Sequence, residues 1–185
     1  MTQHIRISEV GLRDGLQSID RVMPTEAKKA WILAEVAAGV TEMEVGSFVP
    51  PSLLPQMADT DRLFAHFQVP GRKPPGAVLS GLVLNEKGLE RGLACGVEMF
   101  CMGVSASETH SRKNTGMSID DANRRIVAMA RQALAAGKRV QVSVQSAFGC
   151  GYEGPVPPER VVAIVKTFVD AGLRNLSLAD TAGHA

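Results

Sequence analysis

The stretch "LAEVAAGVTEMEVGSF", residues 33–48, decides the fold. It closes a helical pattern on Gly39, opens a β-rich run at once, and ends that run on a serine. Glycine suits the left-handed position just past a helix, and a Val/Met-rich run suits a strand. The same punctuation returns as "ACGV" at 94–97, "AAGK" at 135–138 and "DAGL" at 170–173. Helix, glycine, strand is therefore the repeated unit, and such alternation implies a parallel sheet.

Working outward, short apolar runs predict six strands near 5–10, 41–47, 77–83, 97–103, 139–146 and 174–179. The helix before Gly39 carries Ala27, Ala30, Ala34 and Ala37 at helical spacing. The helix before Gly137 opens at Ser118 and Asp121, which resemble a capping box, and carries Ala122, Ile126, Met129 and Ala133. The helix before Gly172 starts at Pro158 and sets Val161, Val165 and Phe168 on one side.

Two architectures share this alternation, an open doubly wound sheet and a closed (β/α)8 TIM barrel. The polar residues separate them. Arg13 and Asp14 follow the first strand, Ser47 the second, Asn85 the third, Ser105 and Ser107 the fourth, Ser146 the fifth and Asp180 the sixth. Polar groups at every strand's carboxyl end are the barrel arrangement. The expectation is an α/β chain holding about the first six strands of a (β/α)8 barrel, with residues 1–185 the amino-terminal part of one catalytic domain. A whole barrel takes eight strands and typically about 250 residues, so the sequence reads as a fragment that stops after strand six.

Composition narrows the partners. Twenty basic and nineteen acidic side chains leave a net charge of +1, and no run of like charge marks a nucleic-acid or anionic-membrane surface. No window approaches the roughly eighteen apolar residues of a membrane span, and the first residues carry no signal-peptide pattern. Cys95, Cys101 and Cys150 are odd in number and form no C-x-x-C pair, so reduced thiols and a cytoplasmic location are expected. A small molecule is the expected partner.

"EVGLRDGLQ", "EVGSFVPPSLLPQMAD", "GVSASETHSRKN", "SAFGCGYEG" and "LSLADTAG" stand in the order and spacing of the 3-hydroxy-3-methylglutaryl-CoA lyases. Over essentially its whole length the chain resembles this branch of the TIM-barrel metallolyases. R-D-G alone is shared with the acetyl-CoA-dependent 2-keto acid synthases, the alternative reading, whereas "SFVPPSLLPQM" and "GCGYEG" point to the lyases. The resemblance implies cleavage of a 3-hydroxy-3-methylglutaryl thioester, or a close 3-hydroxyacyl-CoA analogue, to acetyl-CoA and acetoacetate. That is a reaction of leucine degradation and ketone-body formation, and the resemblance also implies a homo-oligomeric parent, a dimer. By motif, Asp14 corresponds to a metal ligand for Mg²⁺ or Mn²⁺ and Arg13 to the group that stabilises the enolate-like oxygen. Glu44 and Asp180 correspond to active-site carboxylates. Arg13, Gln17, Ser47 and Ser143 face substrate on this reading, with Glu9 a weaker organising residue.

The chemistry accounts for these residue types. Breaking a carbon–carbon bond beside a tertiary alcohol removes the hydroxyl proton while charge develops on a thioester enolate. A divalent ion lowers the alcohol's pKa, and a fixed guanidinium meets the enolate. The chain also departs from the family. His4, His66, His110 and His184 have no H-x-H spacing, so the remaining metal ligands are expected beyond residue 185 and the 185 residues alone are expected to be inactive. A non-catalytic truncated barrel is the reading that follows if the chain ends at Ala185. Leu12 and Gly151 stand where the family has proline. Ser143 stands where many members have tyrosine, which enlarges the pocket and leaves other acyl groups open.

Blander readings compete with each motif. "RDG" in isolation is more often a surface turn with a local ion pair. "GCGYEG" fits G-x-G-x-x-G, but Pro155, Pro157 and Pro158 delay the helix that a dinucleotide fingerprint needs. Cys150 and "MFCMG" read as core. "SETHSRKN" reads as a solvated loop, or as one whose Arg112 and Lys113 touch the phosphates of CoA.

Overall fold

The computed structural model describes residues 5–185, so His4 lies outside them. Those residues form β1 (Ser8–Glu9), α1 (Thr25–Ala37), β2 (Glu42–Ser47), α2 (Thr60–Gln68), β3 (Val78–Leu82), α3 (Glu86–Ala94) and β4 (Met99–Ser105). They continue with α4 (Glu108–Thr115), α5 (Ile119–Ala135), β5 (Arg139–Gln145), α6 (Pro158–Asp170) and β6 (Leu176–Leu178). A π-helical turn, Gly11–Gly15, follows β1, and a 3₁₀ turn, Pro55–Met57, precedes α2.

The hydrogen-bonded strand order is β1-β2-β3-β4-β5-β6. The pairs β1/β2, β2/β3 and β5/β6 are parallel, with Glu44 opposite Ser80 and Ser143 opposite Ser177. A doubly wound sheet reverses its strand order at a switch point. Strictly sequential order with parallel pairing has no such point, so the barrel topology stands. β1 is shorter than the sequence suggests: it starts at Ser8, and at its other end it loses only Val10, where the chain turns into the π-helical segment.

The chain divides into two compact units, Met1–Val83 with Lys87–Phe100, and Leu84–Glu86 with Cys101–Ala185. β4 begins in the first and runs into the second. In the first, every residue of β2 is buried, the acidic Glu42 and Glu44 included. Its apolar part is filled by Leu63, Phe64 and Phe67 of α2, and Phe64 stacks on Phe48 at 5.7 Å between ring centres. In the second, β5 alternates: Val140, Val142 and Val144 are buried while Gln141, Ser143 and Gln145 are half-buried. The period of two marks one face turned to apolar packing and one left polar. Ala122, Ile126, Met129 and Ala133 of α5 are all buried, as their spacing predicts. Ser118 caps that helix by accepting from the Asp121 amide at 3.1 Å.

Two expectations are corrected. Ala27, Ala30, Ala34 and Ala37 of α1 are exposed, and the buried residues are Lys28 and Ile32. Alanine offers little apolar area to bury, so the stripe does not orient the helix. The Lys28 ammonium is instead taken up inside, where it donates to the Gln56 carbonyl at 2.6 Å and pairs with Asp59. "SETHSRKN" is a helix and not a loop. Ser107 caps it, accepting from the His110 amide at 3.1 Å, and Gly116 closes it in the left-handed region at φ 73°.

β2 and β3 shift register between Glu44 and Gly46. At Gly46 an added Cβ would lie 2.6 Å from Thr60 Oγ1, and that hydroxyl donates to the Met57 carbonyl at 2.8 Å. Gly46→Ala should therefore lower stability by about 1–3 kcal/mol in urea unfolding, and adding Thr60→Ala should recover part of the loss. Equal stability of Gly46→Ala and the parent would show that Thr60 moves aside freely.

Candidate functional site

The candidate residues Arg13, Asp14 and Gln17 follow β1 and meet Glu44 of β2. In the π-helical turn the Arg13 and Asp14 amides both donate to the Val10 carbonyl, at 3.0 and 2.7 Å. Leu12 anchors the turn with no exposed surface. The Gly11 amide donates to Glu9 Oε1, so Glu9 holds the turn's first peptide in place. A Cβ at Gly11 would sit 2.7 Å from that same oxygen and 3.1 Å from Trp31. A larger residue there would need the Glu9 carboxylate and the Trp31 ring to shift.

The turn throws Arg13 across to β2. Its guanidinium donates to Glu44 Oε2 at 2.8 Å and to Asp14 Oδ1 at 2.7 Å. Gln17 Nε2 lies 3.5 Å from the same Asp14 oxygen. Exposure sorts the three charges: the Glu44 side chain is 8% exposed, Arg13 17% and Asp14 59%. Burial raises the Glu44 carboxyl above the ordinary glutamate range, against the hydrogen bond and charge of Arg13, which pull it down. Among the described residues, Glu44 Oε1 is buried and has no hydrogen-bond partner. An acceptor with free lone pairs thus lies beside a guanidinium.

Ser47, expected to face substrate, is fully buried, and its hydroxyl accepts from the Val49 amide at 3.4 Å. In the second unit Ser143 is half-buried on the polar face of β5. Asp180 is exposed, and its carboxylate accepts from the amides of His184 at 2.8 Å and Ala185 at 3.0 Å. Those amides hold its pKa below the ordinary aspartate range. Beside it, Thr181 Oγ1 accepts from the Ser146 amide at 2.8 Å. Ser146 sits at φ 53°, a left-handed conformation uncommon outside glycine. The strand end that carries Ser143 is therefore held in an unusual backbone state, as is frequent at functional sites.

Several contacts between distant segments carry no local signal in the sequence. The "GCGYEG" segment forms a tight loop, with Cys150 and Gly154 exchanging backbone hydrogen bonds at 2.8 and 2.7 Å. Glu153 of this loop accepts from the Thr109 amide in the first turn of α4 at 2.6 Å. Lys113 lies 3.9 Å from the centre of the Tyr152 ring. The polar helix α4 is therefore docked by the loop after β5. Cys150 is buried, and despite that burial its thiol pKa is lowered by hydrogen bonds from Ser107 and from the Tyr152 and Glu153 amides.

Asp14 offers a hard, accessible carboxylate oxygen of the kind Mg²⁺ or Mn²⁺ prefers. Among the described residues no three His, Cys, Asp or Glu side chains gather to hold a metal ion. Asp14 thus fits such an ion in donor chemistry while supplying a minority of the roughly six ligands it takes.

Removing the guanidinium leaves the buried glutamate alone. Arg13→Met should destabilise the protein by roughly 3–5 kcal/mol at pH 8. Because the Glu44 pKa is raised, protonation relieves the unpaired charge as pH falls, so the deficit should shrink toward pH 5. Urea unfolding at the two pH values measures it, and a pH-independent deficit would mean that Glu44 does not carry the effect.

A family model described as HMGL-like matches residues 4–185. The mitochondrial hydroxymethylglutaryl-CoA lyase of Rattus norvegicus is 36% identical over 183 residues, covering 99% of this chain and 55% of its own length. The crystal structure of the Bacillus subtilis HMG-CoA lyase superposes with a TM-score of 0.92 at 34% identity, over 98% of this chain and 59% of that one. An HMG-CoA lyase from Acinetobacter baumannii, solved with coenzyme A and 3-methylmalate, gives 0.88 at 28% identity, over 100% and 60%. The chain thus spans little more than half the length of the relatives it matches.

Proposed function

The chain belongs to the HMGL-like family, it holds about the first six strands of that family's α/β barrel, and from this premise we propose that its protein is a carbon–carbon lyase for 3-hydroxy-3-methylglutaryl-CoA or a close analogue. The observation that carries the proposal is the Arg13 guanidinium, fixed by Glu44 of β2 at 2.8 Å and by Asp14 at 2.7 Å in the turn that follows β1. The relatives reported above are lyases, which favours cleavage over the condensing direction.

In this reading the reaction breaks the bond between C2 and C3 of the acyl chain. The C3 hydroxyl loses its proton and becomes the ketone of acetoacetate, and C2 takes a proton to complete the acetyl thioester. Arg13 meets the enolate oxygen of the departing thioester. A rigid guanidinium already oriented by two carboxylates has little reorganisation left to undergo when that charge develops. Glu44 holds the fork in place from a site with little water, where its interaction with Arg13 is strong. Asp14 would contribute one carboxylate to a divalent cation that, when bound, acidifies the C3 hydroxyl and orients it. Gln17 follows the turn, and its amide lies beside the Asp14 carboxylate. Ser143 and Asp180 are assigned to the substrate side of the site on the strength of the motifs they occupy. A serine at 143, where many members of the family have tyrosine, supports acyl groups larger than the methyl parent.

The test supplies 3-hydroxy-3-methylglutaryl-CoA with Mg²⁺ or Mn²⁺ to the purified full-length protein and follows acetyl-CoA and acetoacetate. Equimolar release of both is expected. Arg13→Lys keeps the charge but loses the fork, and should lower kcat by about 10²–10³-fold. No release of acetyl-CoA from this or related 3-hydroxyacyl thioesters would overturn the proposal.

A further inference from the structure

We propose that Lys28 and Gln56 form a positioning tether that holds the chain segments leaving β1 and β2, and with them Arg13, Asp14 and Glu44, in reactive register. The inference rests on the lyase reading for its catalytic consequence, while its structural content stands apart from it.

Lys28 is 1% exposed, the most unusual burial in the first unit. Its ammonium donates to the Gln56 carbonyl at 2.6 Å and pairs with Asp59 Oδ1. The other Asp59 oxygen accepts from Thr25 Oγ1 at 2.7 Å. Two residues in the first turn of α1 thus grip the segment that joins β2 to α2. Gln56 carries the connection onward, because its amide nitrogen donates to the Ile19 carbonyl at 2.6 Å. Next to Ile19, the Ser18 hydroxyl and amide both donate to the Gly15 carbonyl, at 2.7 and 3.3 Å. Gly15 ends the turn that carries Arg13 and Asp14. A path of hydrogen bonds, joined by the peptide link between Ile19 and Ser18, therefore runs from the first turn of α1, through Gln56, to the residue next to Asp14.

A structural role alone does not account for a lysine here. A buried ion pair is often matched or bettered in stability by hydrocarbon side chains of similar volume. A methionine and a leucine could keep α1 against the segment, but neither would hold the Gln56 carbonyl. What the charged arrangement adds is one defined course for the backbone of 54–59, and so one position for the Gln56 amide. None of Lys28, Gln56 and Asp59 is a candidate to touch substrate, so their contribution is to position other groups.

Two variants and two readouts test this. Gln56→Leu removes only the link to Ile19, and should leave the melting temperature near that of the parent. It should lower kcat about tenfold or more with little change in KM, and speed amide hydrogen exchange in residues 16–22. Lys28→Met combined with Asp59→Leu replaces the pair by hydrocarbon. It should keep or raise stability while lowering kcat by about 10²-fold, the loss expected from a misplacement of order 1 Å. Parental kcat in both variants overturns the tether. So does a loss of protection spread evenly over the chain, which would mark a merely structural role. If the parent itself releases no acetyl-CoA, the lyase reading falls, and the exchange at 16–22 alone decides: faster in Gln56→Leu upholds the tether, unchanged overturns it.

Discussion

A carboxylate that is 8% exposed in the middle of a strand must have a cation, and Glu44 has Arg13. That pairing constrains everything around it. Burial of an unpaired carboxylate would cost several kcal/mol, so the chain leaving β1 must return a guanidinium to β2 within a few residues. The π-helical turn does this: it folds Gly11–Gly15 back on the Val10 carbonyl, with Leu12 driven into the core as its anchor. Neighbouring Arg13 and Asp14 then emerge with different surroundings, one held against β2 and the other open. The Arg-Asp-Gly sequence is thus a device for splitting two adjacent charges between a dry place and a wet one.

The carboxylates follow the same logic. Glu44 is pushed toward protonation by its burial, and its one described partner restrains that push. Asp180, exposed and taking two backbone amides, is held ionised. Carboxyl groups whose surroundings move their pKa values apart are suited to different tasks. A glutamate whose pKa is raised is the more readily protonated of the two, whereas an aspartate whose pKa is lowered keeps its charge to lower pH. Adjacent to that aspartate, Thr181 fixes the strained Ser146 peptide. Even an exposed strand end is therefore conformationally defined.

How far these features could be read in the sequence depends on the reach of the interaction. The helix–glycine–strand rhythm is local, and it placed all six strands to within three residues at either end, the first and last being the most shortened; the α5 face came out residue by residue because Ile126 and Met129 are large enough to dominate the pattern. The α1 face misled, since hydropathy assigns lysine to water and alanine to the core. The groups that reverse this, Gln56 and Asp59, lie 28 and 31 residues from Lys28. α4 was missed although both its signals, Ser107 before and Gly116 after, were present. A helix polar on every side has no apolar period to detect, and α4 is held by capping and by Glu153, 44 residues beyond Thr109. The Arg13–Glu44 contact spans 31 residues; only the family resemblance, and no periodicity, joined the two in advance.

Each unit fastens the loops after its strands in the same manner, with charged or amide side chains donating to or accepting from backbone groups of the next loop. In the first unit Lys28 and Gln56 do so through the carbonyls of Gln56 and Ile19. In the second, Glu153 takes the Thr109 amide and Arg160 donates to the Ala106 carbonyl at 3.1 Å. A hydrogen bond to a charged group contributes about 1.5–3 kcal/mol, enough to select one loop course from several of similar packing energy. Apolar contacts cannot do this as well, because they tolerate sliding. The strands carry the core, but strand ends alone leave their side chains free over distances that chemistry does not forgive, since a misplacement of about 1 Å is costly. Loops bound through their own peptide groups turn a generic barrel end into a particular one, and the residues that bind them need never meet the substrate.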